Sequence, residues 1–549
     1  MAELPKVPPV PHWVRSEARA VEGLDLLGLR APVARIGAGL LTGITTISPM
    51  VRYVGLRAWV ARRYALARLP DSWKSFGQFA GRIEAAVALG NLLLDRQVGG
   101  AVGHDAAVKL INSGKDPIEL APLVKQLAVS AYAGPSDELG ISGYLARRPS
   151  EIPLLSEERG VSLANAVDSV LGDTELGRTA ASAKQESKLS RADLIIVGKA
   201  FPIGMPSETE RRVLADCLIP ETVAENRENK DGLRVATYGL LLEAAESHHR
   251  VPRESDLFSF ATSIAHDLQP GYQSWLNGWL LYLVRDQIAA VHEAAMSEVV
   301  EELTPSDDEP HARIAREVVS KLLGQTAELE QVLESLSLLP TTRKPLQAPL
   351  AVLLELIRKA TPGRTIGPPV RWHGALQEPA VMNLALELAR DKRPGCLVLL
   401  PVSWLLTSER LGGVRSADSV LSSKLSVGGS RRLGVSQVVL PVLKEMLQRN
   451  ATIVQAAYEL TVRTVDQHLA TAWERMLREP EKDVAIIHAD DNTWSYRKPF
   501  KAGRTASRLD QAIGWLRQLA LVDDLGCTAE GRRYLARARE LLAACGDWA

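Results

Sequence analysis

The sequence lacks the motifs that define most nucleotide-binding, metal-binding and hydrolytic enzymes. Its 549 residues contain no Gly-x-x-x-x-Gly-Lys, no Gly-x-Gly-x-x-Gly, no His-Glu-x-x-His and no Gly-x-Ser-x-Gly. Residues 191–201 offer Asp193 and Lys199 to a nuclease-like magnesium site, but the second acid that such a site needs is missing. We therefore predict no metal and no cofactor, and we favour a function without catalysis.

An excess of either charge is also missing, and cysteines are few. The 65 Lys and Arg residues balance the 65 Asp and Glu residues. No net field then draws the chain towards nucleic acid or a membrane, and such binding would need a local patch. The four cysteines form no Cys-x-x-Cys pair, which excludes the common zinc and redox motifs. This pattern predicts a reduced, cytoplasmic protein.

Long apolar runs are absent as well. The longest uncharged apolar stretches, residues 36–51 and 396–406, are too short or too rich in Gly, Thr and Pro to cross a bilayer. Residues 1–20 place Pro, Glu and Arg where a secretion signal needs an apolar core. We expect neither export nor a membrane partner.

What the sequence does contain favours helices. Aromatic residues make up only 5% of the chain, whereas Ala, Leu, Glu and Arg are abundant. We predict a mostly α, multidomain protein with winged-helix and helix–turn–helix modules. Breaks in the helical pattern suggest five segments: an N-terminal helical domain with a winged-helix-like end (1–172), a central helical domain (173–303), a linker with a connecting helix (304–348), an α-rich domain with a Gly/Ser-rich basic loop (349–437), and a C-terminal winged-helix/helix–turn–helix region (438–549).

The C-terminal tail has the order of elements of a winged helix. Residues 504–524 place apolar residues on one helical face, a short turn follows, and Thr528 can cap a second helix. Arg504, Arg508 and Arg517 fall on or near the opposite face of the first helix. Because a cationic face suits contact with phosphates, we predict that these three arginines bind nucleic acid, with DNA favoured over RNA.

Residues 450–476 resemble a helix–turn–helix, with a turn just before Thr464. Thr464, Gln467 and His468 are then candidates for base recognition, and Arg463 is a candidate for phosphate contact. The alternative is a pair of packed helices that carry a solvated arginine.

Residues 152–167 echo the tail. Ser156 corresponds to Thr528 as a helix cap, and Gly160 corresponds to Gly531, although the spacing differs by one residue. This analogy predicts a second winged-helix-like module that ends near residue 170 and serves either nucleic-acid or protein contacts.

The most basic stretch is residues 26–70, which contain seven arginines and no acid. Aromatic residues interleave with the arginines, a mixture that can stack on bases and neutralise phosphates. The alternative is that the aromatics belong to the core and the arginines pair with distant acids. The candidates for nucleic-acid binding in this stretch are Arg52, Arg57, Arg62 and Arg63.

The same stretch carries a resemblance to a known group of proteins. The residues concerned are Gly28-Leu29, Leu40-Leu41, Gly43, Thr45-Thr46, Arg52-Tyr53, Trp59, Arg82 and Glu84. In this pattern the chain resembles uncharacterised bacterial proteins that are encoded among anti-phage defence genes. The resemblance covers about residues 25–170, and it implies a bacterial cytoplasmic protein that is a component of a defence locus. It implies no particular activity.

One enzymatic hypothesis remains open. Arg285 and His292 lie seven residues apart, so two helical turns would bring them to one face. This spacing resembles the motif of HEPN ribonucleases, in which the histidine would act in acid/base chemistry and the arginine would hold phosphate. Arg463 and His468 have a similar spacing. The alternative for both pairs is ordinary surface residues on long helices.

Three functions follow from the sequence. The first is a nucleic-acid-binding, non-catalytic component of an anti-phage defence system, together with partner proteins. The second is a protein scaffold that binds other subunits of a complex. The third is a HEPN-like ribonuclease. The sequence leaves the oligomeric state open.

Overall fold

The computed structural model describes residues 25–143, 152–181, 187–222, 231–262, 270–305, 312–360, 376–411, 438–478 and 484–544. Within these ranges the chain is mostly helical, as the composition predicted. The helices are α1 (Arg30–Leu40), α2 (Arg52–Leu66), α3 (Trp73–Leu94), α4 (His104–Asn112), α5 (Ala128–Ala131), α6 (Ala133–Glu138), α7 (Arg159–Leu171), α8 (Glu175–Ala181), α9 (Arg191–Ala200), α10 (Glu208–Leu218), α11 (Asp231–His248), α12 (Glu254–Thr262), α13 (Pro270–Leu303), α14 (Ala315–Leu323), α15 (Thr326–Ser335), α16 (Leu350–Ala360), α17 (Glu378–Arg390), α18 (Cys396–Leu411), α19 (Leu440–Gln448), α20 (Ile453–Arg478), α21 (Leu509–Gln518) and α22 (Ala529–Ala544).

The strands of the described residues are short, and all of their pairs are antiparallel. β1 pairs with β4, β2 with β3 and β8 with β9, while β5, β7 and β6 form a three-stranded sheet in that order. The strands are β1 (Ile118–Glu119), β2 (Ser142–Gly143), β3 (Leu154–Leu155), β4 (Lys188–Leu189), β5 (Ala312–Ile314), β6 (Ile487–Asp490), β7 (Thr493–Tyr496), β8 (Val522–Asp523) and β9 (Gly526–Cys527).

The chain divides into two compact units, each built from three separate stretches. The sheet unit holds the described residues of Met1–Gly37, Phe258–Leu268 and Leu276–Ala506, and it contains the three-stranded sheet. The hairpin unit holds those of Ala38–Leu257, Gln269–Trp275 and Ser507–Ala549, with the β2–β3 and β8–β9 hairpins. This division differs from the five consecutive segments of the sequence analysis, because each unit combines distant parts of the chain. The Gly/Ser-rich basic loop predicted at 409–436 lies almost entirely outside the described residues.

The core of the sheet unit surrounds α18, a helix that is buried along most of its length. Trp404 of α18 is fully buried, and so are Leu280 and Val284 of α13. The carboxylate of Glu298 accepts the backbone N–H groups of Gly395 (3.1 Å) and Cys396 (2.6 Å), where α18 begins. Because the first N–H groups of a helix have no partner within it, this buried carboxylate fixes where α18 begins.

The core of the hairpin unit surrounds α2 and α3. Apolar residues occupy nearly all positions of α2 from Tyr53 to Ala61, and they are buried. α3 crosses α9 at a pair of glycines, Gly90 and Gly198, where a Cβ atom on either residue would overlap the backbone of the other helix. Small residues at the crossing therefore set the close approach of these two helices.

Candidate interaction modules

The C-terminal tail forms a helix, a hairpin and a second helix in the predicted order. We call α21, the β8–β9 hairpin and α22 the C-terminal module. After α21 the chain turns at Ala520, which adopts the left-handed conformation with φ of +56°. The backbone N–H of Leu521 then donates to the carbonyl oxygen of Leu516 at 2.9 Å. This combination is a helix C-terminus of the Schellman type, and it directs the chain into the hairpin.

Thr528 fastens the start of α22 to the end of α21. Its hydroxyl accepts the backbone N–H of Gly531 (3.0 Å), as expected for a cap, and donates to the carbonyl oxygen of Ala520 (2.8 Å). The backbone N–H of Thr528 also donates to the carbonyl oxygen of Leu521 at 3.1 Å. One side chain therefore ties together the turn, the hairpin and the second helix.

A second set of elements repeats this geometry. We call α5, α6, β2, β3 and α7 the N-terminal module. Its turn residue is Gly140, with φ of +67°, and the N–H of Ile141 donates to the carbonyl oxygen of Ser136 at 2.8 Å. The hydroxyl of Ser156 accepts the N–H of Gly160 (2.9 Å) and donates to the carbonyl oxygen of Gly140 (2.7 Å). Each bond has a counterpart in the C-terminal module.

A glycine in each second helix permits the same close approach. A Cβ atom on Gly160 would overlap the carbonyl oxygen of Ile141, and one on Gly531 would overlap the carbonyl oxygen of Leu521. Ile141 and Leu521 each follow the left-handed residue of their module. The correspondence between Ser156–Gly160 and Thr528–Gly531 in the sequence thus has a counterpart in backbone geometry. The assignment of either module as a winged helix stays a prediction.

Each module packs against a helix that carries a buried arginine. α7 packs on α2, and α22 packs on α11. Arg52 of α2 forms an ion pair with Glu210 (2.6 Å) and donates to the carbonyl oxygen of Pro202 (2.8 Å). Arg234 of α11 donates to the carbonyl oxygen of Cys217 (3.2 Å), near the end of α10. Both guanidinium groups satisfy buried acceptors inside the hairpin unit.

The arginines predicted in residues 26–70 are not an exposed stripe. Arg52 and Arg57 are each only 1% exposed, and Arg57 donates to the backbone carbonyl of Val129. The prediction that these two bind nucleic acid is therefore wrong, because neither can reach a phosphate. Trp59 and Tyr64 are buried with them, as the alternative interpretation expected.

Arg62 and Arg63 of the same helix are half-buried. Arg63 donates through Nε to Asp168 (2.8 Å), and the indole N–H of Trp59 donates to the same carboxylate (2.7 Å). Arg62 has no ion pair among the described residues. Arg62 therefore differs from its neighbour Arg63, whose charge is balanced by the carboxylate of Asp168.

The residues that carry the resemblance to defence-locus proteins are largely buried. The hydroxyl of Tyr53 accepts the N–H of Val102 at 3.0 Å. The carboxylate of Glu84 accepts the N–H groups of Ala128 (2.8 Å) and Val129 (2.7 Å) at the start of α5. These side chains hold elements of the hairpin unit together. The pattern is therefore explained by structural contacts, and no reaction can be inferred from it.

The helix–turn–helix prediction for residues 450–476 is wrong. α20 is one continuous helix of 26 residues, because nothing in its sequence interrupts the helical backbone at the expected turn. Thr464, Gln467 and His468 are at most 2% exposed. The amide of Gln467 donates to the carbonyl oxygen of Leu27 at 2.8 Å. None of these three residues can contact a base, and Arg463 is half-buried on the same helix.

His292 belongs to a buried hydrogen-bonded chain. The indole N–H of Trp404 donates to Nε2 of His292 (2.8 Å), so Nδ1 carries the proton and faces the hydroxyl of Thr464 (2.8 Å). That hydroxyl in turn donates to the carbonyl oxygen of Leu460 at 2.7 Å. Burial lowers the pKa of His292 to about 3, and the imidazole is therefore neutral at physiological pH.

The pair of residues proposed for ribonuclease chemistry does not form an accessible site. Arg285 is 5% exposed and His292 is 1% exposed, although both lie on α13 as the spacing required. His468 of the second pair is also buried, and burial lowers its pKa to about 4. A histidine that no substrate can reach does not serve as a general acid or base, which removes the basis for the HEPN-like hypothesis.

The arginines of the tail are engaged in other contacts. Arg504 and Arg508 precede α21, so they do not lie on its outer face as predicted. Arg504 pairs with Asp286 (3.5 Å). Arg508 donates to the carbonyl oxygen of Ile44 at 2.7 Å. Arg517 lies on the exposed side of α21, but it pairs with Asp524 of the hairpin at 3.0 Å. Acceptors therefore occupy each of the three guanidinium groups.

The hairpin of the C-terminal module is acidic and apolar at its tip. Asp523 and Asp524 are exposed. Leu525 follows them, just before β9, and is 82% exposed, which is the largest exposure among the large apolar side chains described. In the N-terminal module Leu154 of β3 is 48% exposed. The sequence analysis missed both leucines. The signal for Leu525 is a lone apolar residue within a polar turn, which is recognisable only once the hairpin is known. Leu154 lies in the apolar run of residues 152–155 and gives no such signal.

Other kinds of site are not found in the described residues. No cluster of three or more His, Cys, Asp or Glu side chains could hold a metal ion there. Within the same ranges, no helix has the combined length and apolar character that crossing a membrane requires. Cys217, Cys396 and Cys527 are buried free thiols. No protein-family model, no curated protein and no solved structure matches the chain.

Proposed function

We propose that this protein is a non-catalytic assembly subunit, and that its two modules bind partner proteins through their hairpins. The observation that carries the proposal is the tip of the β8–β9 hairpin, where Leu525 is 82% exposed beside two aspartates. A side chain of this size gains about 1.5–3 kcal/mol when it is fully buried, so a partner that covers it gains affinity. Exposed apolar residues that sit singly are common, but this one lies in the two-residue turn between β8 and β9 and is the most exposed large apolar side chain described.

Electrostatics favour a protein partner over nucleic acid. A hairpin that follows the DNA backbone needs cations, whereas this hairpin presents Asp523 and Asp524, which repel phosphates. The exposed cation of α21, Arg517, pairs with Asp524 at 3.0 Å, so a phosphate would have to displace that carboxylate. The chain as a whole has no net charge to compensate. Nucleic-acid binding through this face would therefore lose the electrostatic contribution on which non-specific affinity depends.

The same features indicate the chemistry of the partner. An acidic hairpin with an apolar tip is complementary to an apolar pocket with basic residues at its rim. On the resemblance of residues 25–170 alone, we extend the proposal to a cytoplasmic complex of an anti-phage defence system. This extension concerns the biological setting and is independent of the hairpin contacts.

Site-specific photo-crosslinking tests the proposal. Leu525 and Leu154 are each replaced by a photoreactive phenylalanine in the native cells, and Leu66, which is 64% exposed on α2, provides the control position. We expect a discrete crosslinked protein from position 525, weaker crosslinking from position 154 and none from position 66. Leu525→Asp should reduce recovery of the same protein. Equal products from all three positions would contradict the proposal.

A titration with nucleic acids tests the competing hypothesis directly. Fluorescence anisotropy is measured with duplex DNA, single-stranded DNA and RNA at two salt concentrations. We expect no salt-sensitive binding that depends on Arg517. Arg517→Glu is compared with Arg178→Glu, a change at another exposed arginine of the hairpin unit that also pairs with an acid. A smaller salt slope in the Arg517 variant alone would instead support the nucleic-acid hypothesis.

A further inference from the structure

The sheet unit contains a cavity that no step of the proposed function uses. Its volume is about 450 Å³, within the range of about 300–1,000 Å³ that is usual for small-molecule sites. One side is the last part of α13, and a second side is the end of α17 with its connection to α18. Residues 500–502, which follow β7, close the third side. The hydroxyl of Ser297 donates to the carbonyl oxygen of Phe500 at 3.4 Å and ties that third side to α13.

The charges around this cavity, which we call the α13 cavity, are unevenly balanced. Glu301 pairs with Lys392 (2.8 Å), and Glu302 is held by both Arg313 (2.8 Å) and Lys321 (2.7 Å). Glu301 and Glu302 are thus neutralised by neighbouring cations, whereas Glu298, the third acid of the lining, accepts backbone N–H groups instead. Lys501 is exposed at the rim and has no carboxylate partner among the described residues. Lys501 therefore places an unbalanced positive charge at the rim of the cavity.

Two more cations at the rim can be recruited. Arg390 and Arg393 pair with Asp391 (2.8 Å) and Glu387 (2.9 Å) respectively, and all four side chains are exposed. Exposed ion pairs of this kind contribute little free energy, so an anionic ligand can take either guanidinium as a bidentate partner at small cost.

The lining of the cavity also includes apolar side chains and a third carboxyl group. Leu322 and Leu388 are buried in its wall, and the ring of Phe500 is half-buried there. Glu298 also lines the cavity while it caps α18. A carboxylate has about four acceptor sites, so beyond the N–H groups of Gly395 and Cys396 it can accept an amino or ring N–H group of a ligand that stacks on an aromatic side chain.

We propose that the α13 cavity binds a small phosphorylated molecule with a planar body, of which a mononucleotide is the representative. Lys501, with Arg390 or Arg393, holds the phosphate at the rim. Phe500 and Leu388 contact the planar body, and Glu298 accepts hydrogen bonds from its edge. No bond is made or broken in this role, which is one of binding alone and is independent of the hairpins.

Isothermal titration calorimetry of the full chain with AMP, adenosine and inorganic phosphate tests this proposal. Both halves of AMP should contribute, so we expect a dissociation constant at least about tenfold lower for AMP than for adenosine or for phosphate. Lys501→Glu should raise the constant for AMP by about tenfold or more, because a charge-assisted hydrogen bond becomes a repulsion. Lys444→Glu, at an exposed lysine of α19, should leave it unchanged.

The outcomes separate a built site from a cationic surface. Equal constants for AMP and phosphate would mean that the rim binds anions only, which overturns the proposal. Failure of all three ligands to bind overturns the proposal as well. So does a Lys501→Glu variant that has the thermal midpoint of the parent protein, and is therefore folded, and the same dissociation constant for AMP. Loss of crosslinking at Leu525 would leave these results unaffected, since the hairpin and the cavity belong to different units.

Discussion

The N-terminal and C-terminal modules share a frame of hydrogen bonds but differ in the segments that the frame holds. Residues 144–153 separate β2 from β3, whereas only residues 524–525 separate β8 from β9. The helix before the turn is split into α5 and α6 in one module and is the single helix α21 in the other. The hydrogen bonds around the helix cap and the left-handed turn therefore suffice to set how the turn meets the second helix. The number of residues between the two strands can vary without changing this arrangement.

The modules also differ in how the first helix is capped. In the N-terminal module the carboxylate of Glu84, which is 4% exposed, accepts the N–H groups of Ala128 and Val129. In the C-terminal module the hydroxyl of Ser507 accepts the N–H of Leu509 at 3.2 Å. A buried carboxyl group thus holds the start of the first helix in one module. In the other a hydroxyl does so, from the residue before the N-cap Arg508, and this hydroxyl also donates to the carboxylate of Glu254. We expect the two modules to respond differently to pH, because only in the first is the group that accepts the helix N–H itself titratable.

The largest effect should come from filling the close approach that both modules share. Gly160→Ala and Gly531→Ala each place a methyl group against a backbone carbonyl oxygen that has no room to move. We expect each change to destabilise its own module by about 2–3 kcal/mol, as overpacking usually does. Hydrogen exchange with mass spectrometry across a urea series measures this for each module by its own peptides.

Matched glycines in the same modules provide the controls. Nothing lies within 4 Å of a Cβ atom placed on Gly134 of α6, and only the end of Gln518 approaches one on Gly514 of α21. Alanine at either position should stabilise its helix by about 0.5–1 kcal/mol. The measured quantity is the change in unfolding free energy of each module. If the values for Gly160→Ala and Gly531→Ala differed more from each other than from the values for these controls, the two modules would not share one set of backbone contacts.

The second prediction uses the difference between the caps. Burial raises the pKa of Glu84 from its usual 4.5 to about 7, although the N–H groups of Val129 and Ala128 and the charge of Arg57 act in the opposite direction. The folded protein therefore binds a proton that the unfolded chain releases in this range. Stability from this group is complete below about pH 4.5 and is lost as the pH rises through 7.

The expected loss between pH 5 and pH 8 is about 1–3 kcal/mol, since one pKa unit corresponds to about 1.4 kcal/mol. It should appear in the N-terminal module, whose exchange protection is compared at the two pH values after correction for intrinsic rates. Glu84→Gln should flatten this dependence, while Ser507→Ala weakens α21 equally at both pH values. A pH dependence that persists in Glu84→Gln would assign it to another group.

The sequence predicted what local rules determine. Ser156 and Thr528 were identified as caps because a cap depends on the few residues that follow it in the chain. Mostly helical structure followed from composition for the same reason. The burial of Arg52 could not be predicted, since Glu210, its partner, is distant in the sequence. Thr464 looked like the start of a helix because a turn and a continuous helix differ little in local pattern.

The candidate site was harder to predict than the fold. Charge patterns predicted Arg504 and Arg508 as nucleic-acid contacts on or near the outer face of α21. Both residues precede that helix, and their acceptors are Asp286 and the carbonyl oxygen of Ile44. An arginine can bind a ligand only if no nearby acceptor already holds its guanidinium group. Such acceptors come from residues that are distant in the sequence, and only the tertiary structure shows them. Leu525 was missed because the sequence does not show that this leucine is exposed or that it lies in the turn of a hairpin.

The smallest effect should come from exchanging the residues at the left-handed turn, where one module has Gly140 and the other has Ala520. An alanine in this conformation costs about 1 kcal/mol, and a glycine costs about half as much through the entropy of the unfolded chain. Gly140→Ala should therefore destabilise the N-terminal module by about 0.5 kcal/mol, and Ala520→Gly should stabilise the C-terminal module by a similar amount. Ser337→Gly, at a left-handed position of the sheet unit, should change neither module. Shifts of the same sign in both modules would mean that the turn residue acts through contacts particular to each hairpin, and the shared frame would then extend only to the caps.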